Sequence, residues 1–130
     1  MEPAITEKLI TFLLIIVAII HIIPISGFAG TSRLEALYGV PIAGADIEIL
    51  MRHRAVLFGI LGIFFAYAAF TPSLQPLAFI AAFATIASFF YLAFSVGDYN
   101  ADIRKIVIGD IVAAIALIGA VILFYTKDSS

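Results

Sequence analysis

Apolar residues in this chain fall into four runs, each about 20 residues long, the length a helix needs to cross a bilayer. Polar residues collect in the breaks between them. The runs cover roughly residues 5–25, 47–70, 74–96 and 101–125. Pro24 and Gly27 mark the end of the first, Thr71-Pro72 the end of the second, and Gly97 to Asn100 the turn after the third. This pattern predicts an all-α fold, a four-transmembrane-helix antiparallel bundle occupying residues 1–130 as a single integral membrane domain.

Helical spacing says which sides should pack. Glu7, Thr11, Ala18 and His21 share one stripe of the first helix, the stripe expected to face other helices. In the second, Glu48, Arg52, Ala55, Gly59, Gly62, Ala66 and Ala69 recur in steps of three and four. Such a seam of small residues lets neighbouring backbones approach closely. Glu48 and Arg52 lie on it as an i,i+4 pair and should point into the bundle, whereas Arg54 diverges by about 200° and is expected to snorkel toward headgroups. Packing positions of the third helix carry Ala78, Ala81, Thr85 and Ser88, and Ala113, Ala116 and Ala120 follow Asp110 in the fourth.

The only long connection lies between the first two runs. Within it, Thr31 to Gly39 predicts a short interfacial helix: Ser32 and Glu35 have capping-box spacing, Leu34, Leu37 and Tyr38 form an apolar side, and Gly39 can end it. Asp46 is the expected N-cap of the second span and Asn100 that of the fourth.

Composition sharpens this picture. Of 130 residues, 64% are hydrophobic and 12% charged, and the mean hydropathy is +1.19, which excludes an ordinary water-soluble domain. A net charge of −2 with no basic run excludes a nucleic-acid partner. The lack of cysteine removes disulfides, thiolate metal sites and thiol catalysis. The segment before Leu9 holds Glu2, Glu7 and a single Lys8, so the first run reads as a retained helix rather than a secretory leader.

Nearly all the ionisable groups should fall at one end of the bundle, since His21 closes the first run, Glu48, Arg52, His53 and Arg54 open the second, Asp98 closes the third, and Arg104, Lys105 and Asp110 open the fourth. Charge at membrane depth is costly and marks a partner, a cavity or a function. Arg33, Arg52, Arg54, Arg104 and Lys105 lie at this end against Lys8 and Lys127 at the other, so the positive-inside rule puts it in the cytoplasm with both termini outside.

Five residues are the candidates for ligand binding: Arg52, His53, His21, Asp98 and Asp110. Arg52 would anchor an anionic or carbonyl group, the histidines would donate hydrogen bonds or carry protons, and Asp110 would orient Arg52. The expectation is a binding or accessory protein, rather than an enzyme, for a lipid or quinone headgroup. Two other classes stay open. The charges could serve only to lock the helices in a structural or assembly subunit, or His21 and His53 could ligate haem or a metal ion in a redox protein. A homodimer through the small-residue faces is compatible with the pattern.

Four strings carry a resemblance: Leu50-Met51-Arg52-His53-Arg54-Ala55-Val56-Leu57-Phe58-Gly59, His21-Ile22-Ile23-Pro24, Leu37-Tyr38-Gly39, and Ser95-Val96-Gly97-Asp98-Tyr99-Asn100. With them the chain resembles, over nearly its whole length, a family of small four-helix bacterial integral membrane proteins of unestablished activity, and more loosely the DoxX-like group, some of which are associated with quinone-linked redox systems. The resemblance implies a bacterial cytoplasmic membrane and brings no catalytic residues. The label phosphopantetheine adenylyltransferase, often attached to such proteins, is not supported: that activity belongs to soluble α/β nucleotidyltransferases with a Gly-His-containing phosphate motif, absent from this sequence.

Overall fold

A computed structural model describes residues 2–127, and among these no strand occurs. Five α-helices follow one another: α1 (Pro3–Ile22), α2 (Thr31–Tyr38), α3 (Ala45–Ala69), α4 (Gln75–Val96) and α5 (Ala101–Thr126). All but α2 are long and apolar enough to cross a membrane.

The first span does not stop where the sequence suggested. Pro24 has no N–H for an α-helical hydrogen bond, yet the chain tightens into a 3₁₀ helix over Ile23–Ala29 instead of breaking. α1 and this extension together form one apolar segment, Pro3–Ala29. Capping also differs from expectation at two helices. α2 starts after Gly30 with no side-chain cap, and Glu35 turns away to accept a hydrogen bond from the Ile42 N–H at 3.1 Å. α3 starts after Gly44, two residues earlier than an Asp46 cap allows. Asn100 does cap α5, accepting from the Ile103 N–H at 2.8 Å, and Gly39 ends α2 at φ 65°, a left-handed conformation that glycine adopts without strain.

α1 is central, packed against both α3 and α5, and α4 closes the group by packing on α5 and α3. The core contains Leu14, Val17, Phe65, Ala82 and Ala113, and large aliphatic residues such as Ile80, Ile115 and Ile118 face outward. Lipid tails are as apolar as leucine, so within a membrane burial alone would not hold helices together, and close fit becomes the main term. The α3 seam supplies it. Ala55, Gly59, Gly62 and Ala69 are buried, and a Cβ at Gly62 would lie 3.0 Å from both the Ala18 carbonyl oxygen and the Ile22 nitrogen of α1.

The last carbonyls of α3 have no partners inside their own helix. Thr11 Oγ1 donates to the Ala69 oxygen at 2.7 Å, and buried Gln75 donates through Nε2 to Ala68 and Ala69 at 3.1 and 3.3 Å. Thr11 therefore meets the end of α3, while Ile22 and Ile25 meet its middle at Gly62 and Gly59. Glu7, expected on the packing stripe, is exposed, and Thr6 is buried in its place.

Candidate functional site

Where α1 runs into its 3₁₀ extension, a cavity of about 380 Å³ opens among all five helices. Ile20, His21, Ile23 and Pro24 form one wall, Arg54 and Phe58 of α3 another, and Thr85 and Phe89 of α4 a third. Asp102, Lys105, Ile106, Gly109 and Asp110 line it from α5. Their spacing of three, four, seven and eight residues from Asp102 places them on a single face of that helix. α2 covers the mouth with Arg33, Ala36, Leu37 and Tyr38.

α2 is held in this position from three sides. Leu34 and Tyr38 are almost fully buried and form a small core with Ile42. Leu34 fits because Gly27 beneath it lacks a side chain: a Cβ there would come within 2.6 Å of Leu34 Cδ2. Asn100 Nδ2 donates to the Tyr38 and Gly39 carbonyls at 2.9 and 3.2 Å, so the residue that caps α5 also ties down the end of α2.

Arg54 is held by aromatic rings. Its guanidinium lies 5.1 Å from the centroid of Tyr38 and 4.6 Å from that of Phe58, and Nη1 donates to the Tyr38 hydroxyl. Among the described residues no carboxylate oxygen comes within 4.0 Å of it, although Asp110 lines the same cavity and lies within its electrostatic reach. Asp110 itself has no hydrogen-bonding partner among the described residues. At the mouth, Lys105 pairs with Asp102 at 3.6 Å and remains largely exposed.

His21 is 2% exposed and has both ring nitrogens engaged, Nδ1 with the Val17 carbonyl oxygen at 2.9 Å and Nε2 with Thr85 Oγ1 at 2.8 Å. A carbonyl oxygen can only accept, so Nδ1–H donates to Val17, and in the uncharged ring Nε2 accepts from the Thr85 hydroxyl. An edge-on contact with Phe65 at 4.8 Å fixes the ring further. This hydrogen bond links α1 to α4 across the bundle.

The five candidates separate in space. His21 and Asp110 meet in the cavity, whereas Arg52 and His53 line a shallow recess on another side of α3 together with Phe28 and Glu48. Arg52 is occupied there. It pairs with Glu48 at 3.1 Å, donates through Nε to the Phe28 carbonyl at 3.0 Å, and lies 5.0 Å from the Phe28 ring centroid. Asp110 is thus opposite Arg54 and does not orient Arg52. Both members of the Glu48–Arg52 pair are more than a third exposed, so they sit at the rim of the seam and not inside the bundle.

Asp98 is exposed in the turn between α4 and α5 at φ 55°, a left-handed conformation that aspartate tolerates better than most residues, and it lines none of these recesses. Haem or metal ligation through His21 and His53 lacks the needed geometry. The two histidines occupy different recesses, the nitrogens of His21 are already engaged, and no group of three His, Cys, Asp or Glu residues suited to a metal ion occurs among the described residues.

Sequence reasoning missed Arg54, Tyr38 and Asp102. The α5 stripe from Asp102 to Asp110 was visible in the spacing. That α2 folds over the Arg54 side of α3 was not, because helical periodicity fixes angles within a helix and not the neighbour each angle meets. The opposite end of the bundle has a recess of its own, lined by Glu7, Lys8, Thr11 and Gln75, where Thr11 and Gln75 serve the carbonyls of α3. Comparison with protein-family models, curated proteins and solved structures finds no match to this chain.

Proposed function

We propose that the chain is an antiparallel four-span membrane bundle whose cavity binds the polar head of an amphiphile, a membrane lipid or a quinone, with the tail leaving between helices. One observation carries this reading. A single cavity combines apolar walls with the inward-facing, incompletely partnered groups of Arg54 and Asp110, at a depth where an unemployed charge is costly. Its volume lies within the range of about 300–1,000 Å³ typical of small-molecule sites.

Further support comes from the contacts of α1 with α3, which run from Thr11 at Ala69 to Ile25 at Gly59, and from the short links before α4 and α5. On this reading α2 lies at the interface as a cover, and the excess of Arg and Lys at this end makes it the cytoplasmic face. Arg54 is the anchor for an anionic or carbonyl oxygen, and Asp110 accepts from a donor on the ligand. His21 has a different part: it braces the wall through Thr85. Arg52 secures the start of α3 to the Phe28 carbonyl.

Gly109 provides the test. It lines the cavity, and no atom lies within 4 Å of the position a Cβ would take, so a larger side chain there fills the cavity without displacing a helix. Native mass spectrometry of the protein in mild detergent is expected to show one retained amphiphile per chain in the wild type and none in Gly109→Leu. Equal adducts in the two proteins, or none in either, would overturn the reading.

A further inference from the structure

The pairing of charges in the cavity narrows the kind of head it takes. Arg54 and Asp110 lie on different helices and face one cavity, but no ion pair forms between them. Direct contact would be the simplest way for two opposite charges to offset each other's desolvation. Instead, stacking between Tyr38 and Phe58 holds Arg54 in place, with only Nη1 engaged, and the Asp110 carboxylate accepts no hydrogen bond among the described residues. Asp110 is nine residues into α5, about 13 Å along its axis, well below the exposed Lys105.

The same alternation recurs at the mouth, where Arg33 and Lys105 stand with Asp102. Both levels of the cavity therefore present cations and carboxylates together. An exclusively anionic head would satisfy Arg54 and face Asp110 unfavourably. A neutral carbonyl head would leave Asp110 without a donor. A purely cationic head would meet Arg54 on the ring faces it would otherwise use.

We propose, building on the amphiphile-binding reading, that the cavity recognises a zwitterionic head carrying a phosphate and a primary amine, the phosphate on Arg54 and the ammonium on Asp110. A primary ammonium has three N–H donors to offer a carboxylate, and a quaternary ammonium has none. The site thus discriminates between aminated heads by hydrogen bonding as well as by charge. Free phosphoethanolamine presents the same two groups as an aminophospholipid, and the apolar walls of Ile20, Ile23, Phe89 and Ile106 favour the form with acyl chains.

The experiment is a native mass spectrometry titration of the delipidated full-length protein in mild detergent. The added probes are dioleoyl phosphatidylethanolamine, its phosphatidylcholine and phosphatidylglycerol counterparts, a short-chain quinone and free phosphoethanolamine. Phosphatidylethanolamine is expected to bind one per chain, about tenfold or more above phosphatidylcholine and phosphatidylglycerol, as befits one charge-assisted hydrogen bond. Asp110→Asn should abolish that preference while phosphatidylglycerol binding holds or rises, and Arg54→Gln should weaken every phosphate-bearing probe. Gly109→Leu should bind none of them.

Cavity-dependent binding of phosphatidylglycerol or quinone without preference for the amine would overturn the zwitterion and leave the amphiphile site standing. So would cavity-dependent binding of free phosphoethanolamine as tight as that of the lipid, as far as the lipid source is concerned. Adducts that persist unchanged in Gly109→Leu would overturn both proposals.

Discussion

Gly62→Ala adds one methyl group at the closest approach of α1 and α3, and its cost can be worked out from the structure. The new carbon would lie 3.0 Å from two backbone atoms of α1, the Ala18 oxygen and the Ile22 nitrogen, and closer still to Ile22 Cγ1. The Ile22 side chain can rotate away, but the α1 backbone can only move as a whole. Restoring an ordinary separation of about 3.5–4.0 Å moves the helices apart by roughly 0.5–1 Å at that level. A radial gap of that size forfeits about a quarter to a half of each affected dispersion contact. Since lipid offers no hydrophobic penalty to drive the helices back together, the loss is not recovered.

Overpacking of this kind costs about 1–3 kcal/mol. Gly109→Ala is the matched control. Its Cβ meets nothing, so the better helix propensity of alanine should leave the protein as stable as wild type or up to about 1 kcal/mol more so. The chain has no tryptophan, so the assay is loss of helical circular dichroism during titration with sodium dodecyl sulfate in mixed micelles. A Gly62→Ala protein as stable as wild type, or more stable, would refute the close-packed α1–α3 seam.

Other expectations follow from single contacts. A double-mutant cycle on His21→Leu and Thr85→Val should give a coupling energy of about 0.6–1.7 kcal/mol in the same titration, the range for hydrogen bonds between membrane helices; no coupling would remove the α1–α4 brace. Asn100→Ala removes both a helix cap and the tie on Tyr38 and Gly39, so stability should fall by about 1 kcal/mol and amides of α2 should exchange hydrogen faster, while amides near Thr11 stay unchanged. Arg52→Gln should leave amphiphile retention at the wild-type level where Arg54→Gln lowers it; the reverse ranking would return the anchor to the Glu48 side of α3.

The helices were legible because their breaks are chemical: Thr71-Pro72 and Gly97 to Asn100 cannot continue an α-helix, and Asn100 was a recognisable cap. Pro24 misled because a 3₁₀ turn tolerates the missing N–H, and Ser32, Glu35 and Asp46 misled because Gly30 and Gly44 occupy the N-cap positions without a side-chain cap. For the site, the gathering of His21 and Asp110 at one end follows from counting residues along each helix. The division of Arg52 from Arg54 does not. Both are at the same level of α3, and only the placement of Tyr38 of α2 against Arg54, beside Phe58, decides which of them faces the cavity. That contact joins residues far apart in the chain, and no local spacing encodes it.

The central claim is that an amphiphile's head lies inside this cavity, and photo-crosslinking tests it most directly. A phospholipid bearing a diazirine on its headgroup would be incorporated with the protein into nanodiscs, irradiated, and mapped by peptide mass spectrometry. The account predicts labels concentrated on cavity residues such as Phe58, Phe89 and Ile106, and lost in Gly109→Leu. Labels confined to the exposed ends of the helices, at Glu2, Phe70 or Arg104, and unchanged by Gly109→Leu would contradict it.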